Sequence, residues 1–81
     1  MTPNRKTEIQ TAIIRVISGF GIDSSKQYQS IGLIGLSEMR RDIPKNELAS
    51  VLKSMEGVVF DFDASIATIH IPTSFFLPPM V

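Results

Sequence analysis

The chain has no cysteine and no tryptophan, and only one tyrosine and one histidine among its 81 residues. Without cysteine no disulfide and no thiolate-bound metal can staple so small a chain, so its stability must come from apolar burial. The same absence removes nucleophile pairs of the Cys-His type, and a Ser-His pair would have to be built around His70. No enzymatic activity is expected on these grounds. No apolar run approaches the roughly 18–20 residues that span a bilayer, and the N-terminal MTPNRKTEIQ lacks the apolar segment of a signal peptide. Neither secretion nor membrane insertion is expected, and a cytoplasmic location is. A Gly-rich phosphate loop is also missing, since Gly32 and Gly35 do not make one. No metal or cofactor is expected. Asp61 and Asp63 place two carboxylates on one strand face, but without a third ligand their ordinary role is to keep a strand soluble and discourage edge pairing.

What is present is a 43% hydrophobic composition, enough for one compact core. The Met at position 1 favours a complete protein over an excised piece. Net charge is formally zero, a poor start for a partner of polyphosphate. Its distribution is uneven: all eight Lys and Arg residues precede Gly57 against six acids, and the other two acids, Asp61 and Asp63, follow it with no base beside them. Any anion-binding surface therefore belongs to the first two thirds of the chain.

The periodicity predicts three helices and a hairpin. Thr2 and Pro3 suit the N-cap and first position of a helix, and Ile9, Ala12, Ile13, Val16, Ile17 and Phe20 then recur as one apolar stripe that ends at Gly19 and Gly21. Ile14 lies off the stripe, either singly exposed or in contact with another chain. From Gly21 to Gly35 the sequence reads as a loop, with Ile31 to Ile34 a candidate short strand. A loop of that length is often functional or mobile. Its Tyr28 is either a lid on the core or, with Lys26, a nucleic-acid contact. A second, short helix over about Ser37 to Asp42 offers Leu36, Met39 and Ile43 to the core and stops before Pro44. Pro44 begins a third helix that runs to about Glu56 and Gly57, with Leu48, Val51, Leu52 and Met55 inward and Asn46, Ala49, Ser50 and Lys53 outward. After Gly57 the period becomes two: Val58, Phe60 and Phe62, then a turn at Asp63 to Ser65, then Ala67, Ile69 and Ile71, closed by Pro72. The expected domain covers residues 1–81, of which 72–81 form an uncharged apolar tail.

Helix, loop or short strand, two helices about a tight turn, and a two-stranded hairpin resemble the winged-helix family of DNA-binding domains over roughly Lys6 to Ile71. The most specific part, LSEMRRDI…ELASVLKSMEGVV, is similar to the Leu-Ser-x-Leu…Leu-x-x-Leu-x-x-Leu-x-x-x-Val pattern of such regulators. The resemblance implies an α+β winged helix-turn-helix: three helices and a C-terminal two-stranded wing, its third helix in the major groove of double-stranded DNA. It then makes Asn46 a base reader, Ser50 a contact to a base edge or phosphate, and Lys45, Lys53, Arg40 and Arg41 phosphate contacts, with Ala49 small enough for close approach. A small transcriptional or plasmid-type regulator follows, acting as a homodimer through Ile14 and the tail residues Phe75, Phe76, Leu77 and Met80. The wing departs from the family pattern. Asp61 and Asp63 stand where Arg or Lys is usual, which repels a phosphate backbone and leaves open a module that binds protein in a larger assembly.

Overall fold

A computed structural model describes residues 2–63 and 66–76, with Asp63 described by its backbone alone. The elements run α1 (Pro3–Gly19), β1 (Tyr28–Gly32), α2 (Leu33–Met39), α3 (Lys45–Ser54), β2 (Val59–Asp63), β3 (Ile66–Pro72) and a 3-10 turn at Thr73–Phe75. The fold is α+β, three helices packed on one three-stranded antiparallel sheet of order β1-β3-β2.

α1 begins where the cap chemistry predicts. Thr2 is extended and accepts from the Arg5 amide at 3.2 Å, and Pro3 occupies a position that needs no amide donor. Of its apolar stripe, Ile9, Ala12, Ile13 and Ile17 are buried and Val16 is half-buried. Phe20, expected to close the stripe, is instead 66% exposed. It is the residue after the last helical position and stands past the end of the core. Gly21 then turns the chain at φ 89°, a left-handed conformation that favours glycine.

The strand expected within Ile31 to Ile34 lies earlier, at Tyr28–Gly32, and pairs in full with β3, so the sheet has three strands instead of the hairpin's two. The second helix starts at Leu33 and stops at Met39, ahead of the Ser37 to Asp42 expected for it. Leu33, Leu36 and Ile43 are buried, but Met39, assigned to the core from its spacing, is 53% exposed. Arg40, Arg41 and Asp42 consequently belong to the turn between helices and not to a helix. Pro44 is the extended N-cap of α3, one position before the helical start expected for it, and its carbonyl accepts from the Glu47 and Leu48 amides. α3 ends at Ser54, short of Glu56. Met55 is already extended, and Met55 to Val58 make a turn closed by a 3.3 Å hydrogen bond with Gly57 at φ 83°.

The core is one cluster in which Ile9 and Ile13 of α1, Leu36 of α2, Leu48, Val51 and Leu52 of α3, and Ile69 and Ile71 of β3 are almost wholly buried. The sheet's inner face follows from alternation: Gln29 and Ile31 of β1 sit opposite Ile71 and Ile69, and Ile69 in turn faces Phe60 on β2. Tyr28 therefore falls on the outer face and is not a lid on the core.

The long polar loop is held by one buried amide. Gln29 Nε2 donates to the Asp23 carbonyl and to Thr73 Oγ1, both at 2.8 Å, while its Oε1 accepts from the Asp23 amide at 3.2 Å. Thr73 passes the bond on to the Lys26 carbonyl at 2.6 Å, and its own amide donates to the Gln27 carbonyl. Every donor and acceptor of the Gln29 side chain is thus engaged, which is what permits a polar residue there. The 3-10 turn that Thr73 opens brings Phe75 and Phe76 against the core.

Candidate nucleic-acid interface

α3 buries Leu48, Val51 and Leu52 and leaves Lys45, Asn46, Ser50 and Lys53 exposed. Asn46, Ser50 and Lys53 are spaced i, i+4 and i+7 and share one face of the helix, with half-buried Ala49 beside them. Ala49 thus lets the helix axis come close to whatever the face meets. Pro44 supplies no side-chain cap, so the Lys45 and Asn46 amides keep their donors for an outside acceptor.

The charges around this face are sorted by ion pairing. Glu47, in the first turn of α3, faces α1, and its Oε2 receives a 3.1 Å bond from Arg5, which also reaches Glu8 at 3.6 Å. That pair joins the two helices and removes an acid from the exposed face. One edge of the Arg40 guanidinium donates to Asp42 twice, Nε to Oδ1 at 3.0 Å and Nη2 to Oδ2 at 2.8 Å. The Arg40 guanidinium holds the Asp42 carboxyl below its ordinary range. Arg40 is therefore already neutralised and has less to offer a phosphate than its sequence position suggested. Among the described residues, Arg41, Lys45 and Lys53 have no carboxylate within salt-bridge reach.

The remaining candidates fall into two groups. Ile14 is half-buried, and Phe75 and Phe76 pack on their own core. Leu77 and Met80 lie outside the described residues, as do Ala64 and Ser65 between β2 and β3. Sequence reasoning missed a different apolar surface. Phe20, Ile34 and Met39 are more than half exposed, and Ile17, Phe20 and Met39 line a cavity of about 330 Å³ beside β1. Phe62 and Ile66 are exposed at the far end of the hairpin, with Phe62 stacked on Phe60 at 6.1 Å. No periodicity rule marks an apolar residue as one that will stay in solvent.

His70 has the partner that a Ser-His pair requires. Ser30 Oγ and His70 Nδ1 are 2.6 Å apart, and Asp61 Oδ2 is 3.8 Å from Nε2, so the three side chains form a row across all three strands. The row lies on the outer face of the sheet, where cross-strand pairs of this kind ordinarily add a few tenths of a kcal/mol, up to about 1 kcal/mol, to strand pairing. Among the described residues no three His, Cys, Asp or Glu side chains cluster as metal ligands, and no helix is long and apolar enough to cross a membrane. No protein-family model, curated protein or solved structure matches the chain.

Proposed function

We propose that the chain is a winged-helix module that binds double-stranded DNA with the exposed face of α3, in the manner of a small transcriptional or plasmid-type regulator. The observation that carries this reading is the α3 face itself: Lys45, Asn46, Ser50 and Lys53 outward, Ala49 small between them, and the one acid of the first turn drawn away by Arg5. Element order supports it, because a strand between the first two helices pairs with the last strand of a hairpin that follows the third helix. Asn46 reads a base edge, for which adenine offers a bidentate match, and Lys45, Lys53 and Arg41 contact phosphates. Arg40 orders the turn through Asp42 and contributes little charge. Fluorescence anisotropy on duplex DNA tests the assignment. Lys53→Ala should weaken binding alike on all sequences and reduce the salt slope by about 1, whereas Asn46→Ala should cost about 1–3 kcal/mol on the preferred site alone. Equal losses on every sequence would remove Asn46 as a reader.

A second reading is favoured by the wing, whose Asp61 repels phosphate and whose Phe62 and Ile66 are exposed. In that reading the module binds protein in a larger assembly. Phe62→Ser should then abolish capture of the partner and leave DNA titrations unchanged.

A further inference from the structure

We infer that two copies of this chain associate through the open edge of β1, joining their sheets into one of six strands around a twofold axis at Ser30. The hydrogen-bond phase of β1 follows from its pairing with β3. The Thr73 amide donates to the Gln27 carbonyl, and Pro72, opposite Tyr28, has no amide to give. Antiparallel pairs alternate, so Gln27, Gln29 and Ile31 direct their backbone groups at β3, and Tyr28, Ser30 and Gly32 direct theirs away from it. Among the described residues no strand meets that outer edge.

The outward set is symmetric about its middle member. A second copy laid antiparallel against it puts Ser30 opposite Ser30, an exchange of two backbone hydrogen bonds, and Tyr28 opposite Gly32 on each side, where the Gly32 amide can donate to the Tyr28 carbonyl while the Gly32 carbonyl serves the first turn of α2. Charge favours this occupant. β1 carries no charged residue, whereas the other edge strand, β2, carries Asp61 and Asp63, the kind of residue that keeps sheet edges apart. With a net charge of zero the two copies do not repel. Area favours it too. Five residues of edge fall short of the ~800 Å² per partner that a stable interface buries, and the exposed Phe20 and Met39 at the rim of the apolar cavity alongside extend the surface that a second copy would cover. No residue of α3 takes part, so the inference does not rest on DNA binding.

Mass in solution, measured by light scattering over a dilution series, tests it together with amide exchange. The wild-type chain should show twice its 9.0 kDa at high micromolar concentration and dissociate on dilution. The Ser30 amide should lose its protection in step with dissociation. Ser30→Lys, which sets two ammonium groups face to face on the axis, and Ser30→Pro, which deletes the outward amide, should each weaken association at least tenfold. Ser30→Ala, which removes only the hydroxyl bonded to His70, should not. Far-UV circular dichroism identifies any variant that fails to fold, and Met39→Lys at the cavity rim serves if either does. A 9.0 kDa mass up to millimolar concentration would overturn the inference. So would a dimer that survives Ser30→Lys and Ser30→Pro and is lost on deleting residues 77–81, which would assign the interface to the tail.

Discussion

Replacing Gln29 by Leu keeps the volume of a buried side chain and deletes the side-chain bonds that tie Asp23 and Thr73 to β1, leaving only the two that Thr73 makes to the Lys26 and Gln27 carbonyls. Three hydrogen bonds disappear: two donated by Nε2, to the Asp23 carbonyl and Thr73 Oγ1, and one accepted by Oε1 from the Asp23 amide. At about 1 kcal/mol each, and with the freed Asp23 groups close enough to solvent to rehydrate, the loss should be roughly 2–3 kcal/mol. An 81-residue domain has about 4–12 kcal/mol in all, so urea unfolding followed by circular dichroism should show a midpoint shift well outside error. The melting temperature should fall by roughly 10–20 °C. Thr73→Val, combined with Gln29→Leu in a double-mutant cycle, should return a coupling of about 1 kcal/mol, because the 2.8 Å bond between the two is counted once. A Gln29→Leu variant within about 0.5 kcal/mol of wild type, or a coupling near zero, would refute the assignment of loop order to this amide.

Gly57→Ala should destabilise by about 2 kcal/mol or more in the same assay, since a left-handed φ of 83° costs an L-residue about 1–2 kcal/mol and the new Cβ would stand 3.0 Å from Pro72 Cγ. Loss below about 0.5 kcal/mol would mean that the turn can relax. Acid stability should depend on Asp23 and Asp42. The Ser25 hydroxyl and amide lower the Asp23 carboxyl, and the Arg40 guanidinium lowers Asp42, each from an ordinary value of 3.8. A carboxyl lowered by folding stabilises the native state above its unfolded value and loses that contribution as pH falls through the folded one. The effect should therefore be constant near neutrality and fade below about pH 4. The Asp23→Ala, Asp42→Ala double variant should lose less stability on acidification than wild type, and an identical acid profile would count against both contacts.

Much of the architecture is legible in the residue pattern where a single periodicity dominates. α1 has a cap, a proline and a 3.6-residue stripe; the inner face of α3 and the alternation of β2 and β3 are equally direct. Alternation does not mark β1, because its inner face carries Gln29 where the pattern asks for an apolar residue. The burial of Gln29 makes sense only with Thr73, 44 positions away. Spacing points Met39 and Phe20 inward, but Met39 is the last residue of α2 and Phe20 the first after α1, and both are more than half exposed. The candidate site was readable as a set of residue types on one helix face. The Arg5–Glu47 and Arg40–Asp42 pairs, which decide how many of its charges are available, were not. The first joins residues 42 apart in sequence. The second depends on the turn geometry that places Asp42 against the guanidinium of Arg40.

Those pairs also give the account its number. With Arg40 neutralised by Asp42, three cations remain for phosphate: Arg41, Lys45 and Lys53. Each module should therefore show a slope of log K on log salt of about −2.7, a loss of roughly 40-fold in affinity between 50 and 200 mM salt. The most direct measurement is a fluorescence-anisotropy titration of the intact protein against mixed duplex DNA across that range. Binding that weakens with this slope is what the α3 interface predicts. Absence of binding at the lowest salt, or an affinity indifferent to salt, would contradict it and turn attention to the exposed Phe62 and Ile66 as a protein-binding surface.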